Sequence, residues 1–461
     1  MSDPLAARTV TRLEIILAGL WVALWASINT TPDVLLGNPS SLMEVAHYIR
    51  TTLPLLVGLV VVLLLLGDAA MGPADTAPLP PALRLWSIYG LLGLAACATS
   101  LHPGLSAYWA VSYLVPIGIV LLLLRTEGRR GSASTLRKLN VFSWGLVGAY
   151  LLVLLVIARD QLVIQGETGV TGYGVLHRVG EVGGVLVPRA SGFSRFAAIP
   201  GVVAFVLAVS SRGLGRLVWG VVAAGCAAVV YVMQSRGSMA GLVAAIAFAT
   251  FFLSRRSRGL GLVLVVVLLI LLATDVVPQT TTEEIKLHIT RAQSQEEFTS
   301  LTGRTYVWGR ALEIIGESPL WGHGPQADRY LLHEHVHNSY LYVLLQSGWI
   351  GLLAFVGGLV AAWISFFRCW ASPAGQEREE RIFLVQLGAI LAFFTVRTIP
   401  EASGALFGID LLVMVSAMAY LGVRAAQIHR TSTDEGDEDE DAAVSRSRAA
   451  PVSPWPPAEQ V

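Results

Sequence analysis

Residues 303–351 read GRTYVWGRALEIIGESPLWGHGPQADRYLLHEHVHNSYLYVLLQSGWIG, a polar, arginine- and histidine-bearing segment set between two of the most apolar regions of the chain. In a membrane protein each charge near the bilayer needs a partner or water, so ionisable residues are rarely concentrated there without use. The segment reads as half of an active site on the outer face of a membrane.

The composition supports the membrane premise. The 461 residues are 54% apolar and only 14% charged, with a mean hydropathy of +0.63, whereas a soluble domain carries about 25% charged residues. Runs such as Leu53–Gly67, Leu217–Met233 and Gly261–Thr274 are almost wholly apolar. The formal net charge of zero offers no electrostatic case for nucleic acid, and no basic run is interleaved with stacking aromatics. No GxxxxGK[ST] occurs, so ATP hydrolysis through a phosphate-binding loop is excluded. Cys97, Cys226 and Cys369 are scattered in or beside apolar segments, which argues against a disulfide framework or a cysteine metal cluster. Arg8 and Arg12 precede an apolar run with no small-residue cleavage site, so the first segment reads as a retained helix.

A spanning helix needs about 20 mainly apolar residues. Candidate spans are 13–28, 48–67, 83–101, 106–124, 139–158, 196–211, 217–233, 238–253, 260–275, 349–367, 382–398 and 405–424. The fold expected is therefore all-α, a polytopic membrane protein with about 12 transmembrane helices over residues 1–430. Alternate short loops carry Arg125, Arg129, Arg130, Arg137 and Lys138, then Arg212 and Arg216, then Arg255, Arg256 and Arg258, then Arg368, Arg378 and Arg381. By the positive-inside rule those loops and both termini are cytoplasmic. Two long loops, 159–195 and 276–348, then face outward. The second is expected to be partly helical, over Arg304–Ile315 and Tyr340–Gln346, where apolar residues recur at three- and four-residue spacing. The tail 431–461 contains DEGDEDED and is expected to be disordered and cytoplasmic.

The outward loops hold many arginines, and for most of them a solvated surface is sufficient explanation: Arg178 can pair with Glu181, Arg310 with Glu313, and Arg329 with Asp328 or Glu334. Such pairs contribute about 0–1 kcal/mol. Arg236, in QSRGS between apolar helices, and Arg304, in TGRTYVWGR, have no acidic neighbour in sequence. Two unpaired arginines at the outer surface suit a lipid-linked pyrophosphate, since each charge-assisted hydrogen bond contributes about 1.5–3 kcal/mol. The histidines cluster at His323, His333, His335 and His337. His333, Glu334 and His337 spell HExxH, the zinc-protease signature, but that chemistry needs a helix through the motif and a third ligand. HEHVHN has weak helix propensity, and no metal is expected. His337, followed by Asn338 and a regular apolar helix, stands at a helix start, where a side chain can be aimed at a substrate.

The ordered set SRG (Ser235–Gly237), GR…W (Gly303, Arg304, Trp308), PLWGHG (Pro319–Gly324) and HNSYLYVLLQSGWIGLL (His337–Leu353) resembles the O-antigen ligase family and its polymerase-type relatives; PRASGFSRF (Pro188–Phe196) is similar to the segment after that family's first long outer loop. The matched motifs span about residues 188–353. The resemblance implies a metal-independent, inverting, C-type membrane glycosyltransferase without cofactor. Such an enzyme moves a glycan from undecaprenyl pyrophosphate to an acceptor hydroxyl, on a lipid or another glycan, outside the bacterial cytoplasmic membrane. Carried over by position, Arg236, Arg304 and, less closely, Arg189 would hold the pyrophosphate. His337 would position or deprotonate the acceptor, with Asn338, His323 and Arg195 supporting. The crowded HEH before His337 and the histidine at 323 depart from the family pattern.

Elementary chemistry is compatible: arginines stabilise a departing pyrophosphate, and an imidazole with an ordinary pKa near 6.5 can accept the hydroxyl proton. A polymerase joining lipid-linked repeat units would use the same site. A transporter would instead show ionisable residues at mid-membrane in repeated halves. Asp410 is one such residue, and Arg397 with Glu401 lies near an outer helix end, but no internal repeat is evident. Asp410 is expected to pair with a neighbouring helix.

Overall fold

The computed structural model describes residues 12–28, 30, 37, 41–70, 77–157, 180–182, 185–187, 190–233, 235–253 and 304–449. Its elements are α1 (Arg12–Ala26), α2 (Leu42–Ala70), α3 (Pro81–Ala96), α4 (Pro103–Ile157), a hairpin of β1 (Gly180–Val182) and β2 (Val185–Val187), α5 (Ala190–Ser210), α6 (Leu214–Val232), α7 (Arg236–Leu253), α8 (Arg304–Glu317), α9 (Ala327–Leu331), α10 (Ser339–Ala371), α11 (Arg378–Arg397) and α12 (Ile409–Ala449). Among the described residues, nine helical stretches are long and apolar enough to cross a membrane, and Glu14–Ala26 is a shorter apolar helix. The chain is thus an all-α polytopic membrane protein. Two expected spans, 106–124 and 139–158, lie in the single long helix α4. The expected span 382–398 coincides with α11, whose REER start makes it more polar than the nine. The expected span 260–275 lies outside the described residues, so the count of twelve is not read from the structure.

The core is built on α11 and α12, apolar around most of their circumference, as a helix enclosed by other helices must be. Phe383–Phe394 and Leu411–Leu421 are buried almost without interruption. Around them, helices approach through small residues, as is usual where lipid supplies no hydrophobic drive between helices. A Cβ at Gly388 of α11 would lie 2.5 Å from Phe248 of α7 and 2.6 Å from Phe366 of α10. Trp86 of α3 stacks on Phe355 of α10 at 5.4 Å and donates to its carbonyl at 3.1 Å.

α10 is two helices across a kink. Gly348 has φ 60° and ψ −163°, and a Cβ there would collide with the backbone of Leu320. The turn Pro319–Gly322 fits into this break: Trp349 N–H donates to the Pro319 carbonyl at 2.8 Å. Gly322, at φ 71°, lies against the backbone of Gln346 and Ser347. The first half of α10, Tyr342–Ser347, is buried, whereas the second shows a lipid-facing stripe of Trp349, Leu353, Val360, Ile364 and Phe367.

The two ends of the bundle are distinguishable by contacts. Arg378 and Arg381, at the start of α11, donate to the carbonyls of Ser210 and Phe252, the last turns of α5 and α7. The opposite end therefore gathers the starts of α5, α7, α10 and α12 and the end of α11. α12 continues to Ala449, and residues 450–461 of the expected tail lie outside the described residues.

Candidate active site

The centre of the site is the corner Thr398–Ser403, which turns the chain from α11 into α12. Ser339, the first residue of α10, holds it: its N–H donates to the Thr398 carbonyl at 2.9 Å and its hydroxyl reaches the carbonyls of Glu401 and Ser403, both at 3.0 Å. Asn338 is the N-cap of α10, accepting from the N–H groups of Tyr340 and Leu341 at 2.9 and 3.0 Å. A cap of this kind contributes about 1 kcal/mol, and it fixes the position of the preceding residue, His337. Asn338 thus supports the site through the backbone.

His337 Nδ1 lies 3.1 Å from Glu401 Oε2. Burial pushes the Glu401 carboxyl up, but the hydrogen bond from His337 and the nearby charges of Arg397, His337 and Arg304 outweigh it and hold the group at about 2. An ionised carboxylate only accepts, so Nδ1 carries a hydrogen and Nε2 is the nitrogen left to exchange a proton. His337 itself has φ 46°, a left-handed conformation costing a non-glycine residue about 1–2 kcal/mol. Strain of this sort persists only where the surroundings impose it.

Arg304 opens α8. Its Nη1 donates to the Pro400 carbonyl at 2.7 Å and its Nη2 stands 3.7 Å from Glu401 Oε1. The expectation of an unpaired arginine is therefore corrected: a carboxylate distant in sequence faces it. α8 is tied to the histidine segment by Trp308, whose indole N–H donates to the Val336 carbonyl at 2.7 Å. Arg236 opens α7, and its neighbour Gly237 is packed on the same corner; a Cβ there would sit 2.9 Å from Pro400 Cγ and 3.7 Å from Glu401 Cγ. Arg236 is half-buried. Residues from α7, α8 and the start of α10 thus converge on Pro400–Glu401.

Behind this corner lies a second charge cluster. Asp410 accepts from Arg195 Nη1 at 3.0 Å and from Arg397 Nη1 at 2.9 Å, and Arg397 also reaches Ser403 Oγ at 3.2 Å. Asp410 has the helix-pairing role expected of it, and Arg195 is committed to that pairing. Arg195, Arg304 and Arg397 bring three guanidiniums to the carboxylates of Glu401 and Asp410, and Arg236 opens α7 beside the same corner.

His323 is not part of the constellation. Its Nε2 lies 3.0 Å from the Ile314 carbonyl, roughly 15 Å along α8 from Arg304 at 1.5 Å per residue. It steadies the Pro319–Gly324 turn. Arg189 lies outside the described residues, as do Arg159, Arg178 and Arg291. The HExxH segment is not helical: His333 has φ 57°, His337 has φ 46°, and residues 335–338 belong to no helix or strand. His333 and His337 are therefore not on adjacent turns of one helix, which is the arrangement the zinc-protease motif needs.

Glu401 is the principal residue missed by sequence reasoning. RTIPE at 397–401 places arginine and glutamate at the end of an apolar run, a usable signal, but sequence alone assigns it to the transport reading. Asp328 is the other. It is fully buried and accepts from the N–H groups of Arg329 and Val336 at 3.0 and 3.2 Å. Burial raises its carboxyl to about 6 against the lowering influence of Arg329, those two hydrogen bonds and His337.

Residues 221–356 match the family model described as O-antigen ligase, Wzy_C. That window is what the chain shares with the family model, and it includes Arg236, Arg304 and His337 and stops short of Arg397, Glu401 and Asp410. No protein of curated function matches the chain.

Proposed function

We propose that this protein is a glycan-transferring enzyme that takes a glycan from undecaprenyl pyrophosphate and attaches it to an acceptor hydroxyl, on a lipid or another glycoconjugate, at the outer face of the bacterial cytoplasmic membrane. The observation that carries the reading is the convergence of Arg304 and His337 on the Glu401 carboxylate, with the first turn of α7 against the same corner.

The chemistry is a displacement at the anomeric carbon. The acceptor oxygen forms the new bond to that carbon, and the bond to the pyrophosphate oxygen breaks with its electron pair leaving on the pyrophosphate. Guanidiniums of Arg236 and Arg304 offset that growing charge; Arg189 is a further candidate for the same role. The acceptor proton goes to Nε2 of His337. Glu401 keeps the imidazole in the Nδ1–H tautomer and stabilises the imidazolium. Its low pKa keeps it from taking the proton itself. Attack from the face opposite the pyrophosphate inverts the anomeric configuration. The outward orientation rests on the arginines at the other end of the bundle, at 212, 216, 368, 378 and 381.

The test is transfer by full-length variants in membranes lacking the native protein. Arg236→Ala, Arg304→Ala and His337→Ala should each abolish glycan attachment with membrane insertion intact. Glu401→Gln should reduce it on the order of a hundredfold or more, as expected for loss of an orienting carboxylate. Normal attachment by all four variants overturns the assignment. Glycan analysis of the deletion strain separates the two forms of the reaction. Full-length lipid-linked polymer accumulates if a ligase is lost, and single repeat units accumulate if a polymerase is lost.

A further inference from the structure

The segment His333–His337 contains a second histidine that the proposed chemistry does not use. His335 Nδ1 accepts the His337 backbone N–H at 2.8 Å. This is the bond that an Asn or Asp side chain makes to the N–H two residues on in an Asx-turn. It exists only while Nδ1 keeps its lone pair. Burial first, then the His337 and Arg329 charges, push the His335 pKa well below its ordinary value, so the ring is neutral at physiological pH. The His335 ring is held on both sides. It lies 4.5 Å from the His337 ring and is stacked with Tyr342 of α10 at 6.1 Å. Asp328 anchors the segment on which it sits by accepting from Val336 N–H, with its Oδ2 3.7 Å from His335 Nδ1.

The strained φ of His337 then has a local cause. φ is the torsion about N–Cα, and it is fixed here because both sides of that bond are held: the N–H by His335 Nδ1 and the imidazole by Glu401 Oε2. We infer that His335 is a positioning residue, whose Nδ1 lone pair sets the backbone of His337 and thereby directs that imidazole between Glu401 and the acceptor. The inference deepens the proposed function and rests on His337 as proton acceptor. The crowded HEH that departs from the family pattern becomes a brace for the histidine that follows it.

The test uses full-length protein in lipid nanodiscs. Donor is the lipid-linked glycan extracted from a strain lacking the protein, acceptor comes from the same membranes, and release of undecaprenyl pyrophosphate is followed. His335→Ala should lower turnover on the order of tenfold to a hundredfold, the scale of a small misplacement of a reacting group, with the donor KM little changed. His335→Asn should recover most of that loss, because Asn Oδ1 is as many bonds from Cα as His Nδ1. His335→Gln, with its oxygen one bond further out, should not recover it. Equal damage in Asn and Gln variants that melt like the native protein overturns the brace, and so does a fully active His335→Ala. If the alanine variant fails to fold, the Asn and Gln variants decide alone. His337→Ala separates the two claims. An inactive His337→Ala beside a fully active His335→Ala removes the brace and leaves the proposed function standing. An active His337→Ala removes the proposed function.

Discussion

At the residue scale, the site is a set of ionisable groups whose environments drive them apart. Glu401, surrounded by cations, stays ionised down to a pH near 2, whereas Asp328, buried with backbone donors, is pushed up to about 6. The sign for Asp328 follows from which state binds the proton more tightly. The folded state does, so its contribution to stability is fully present below the ordinary value of 3.8 and is lost as pH rises through about 6. The loss amounts to about 3 kcal/mol above that range. Arg329, His335, His337, Tyr342 and Tyr89 are among the charged or titratable groups around it, and burial with the neighbouring cations favours the neutral form of His335. We expect the native protein to gain thermal stability relative to Asp328→Asn as pH falls from 7 to 5. Parallel melting curves for the two proteins across that range would show that Asp328 does not titrate there.

At the scale of elements, the break in α10 is what brings His337 to the site. Without it, the helix beginning at Ser339 would continue along one axis, and the Pro319–Gly322 turn would have no seat against residues 346–349. Gly348→Ala adds a side chain at φ 60° and against the Leu320 backbone, which should destabilise by about 2 kcal/mol or more. The measurement is the apparent melting temperature of purified protein, together with transfer. Gly309→Ala is the control. Gly309 is a helical position of α8 with nothing near its Cβ direction, so alanine there should leave stability unchanged or raise it by about 0.5–1 kcal/mol. A Gly348→Ala protein as stable as Gly309→Ala would mean the kink tolerates an ordinary residue.

At the scale of the whole molecule, one end of the bundle gathers the candidate site and the other the short arginine loops. Cys97, Cys226 and Cys369 are all buried, so the native chain offers a low background for thiol labelling. Cysteine replacing Tyr306, exposed in the first turn of α8 beside Arg304, should react with an impermeant maleimide added to intact spheroplasts. Cysteine replacing Glu379, exposed at the opposite end, should react only after permeabilisation. The reverse pattern would put the site in the cytosol, where the proposed donor chemistry has no place.

Much of this architecture is legible in one dimension. Apolar length marks the spans from α2 to α12, because a bilayer requires each to satisfy its own backbone hydrogen bonds. The order of SRG, GR…W and HNSYLY marks three corners of the site. Spacing could not reveal the partner of Arg304 and His337, since Glu401 is 97 and 64 residues away, respectively, and meets them only when α8, α10 and α11 pack together. Nor could it separate the histidines. His323, His335 and His337 share a side-chain chemistry, and their roles differ through what each faces: the Ile314 carbonyl, the His337 backbone N–H and the Glu401 carboxylate. The sequence by itself determined that the chain crosses the membrane many times and which segment carries polar chemistry, because hydrophobic length and local pattern are properties of neighbours along the chain. Only the tertiary structure decided which charges meet, because hydrogen bonds and ion pairs depend on separations of a few ångströms between residues that the sequence holds far apart.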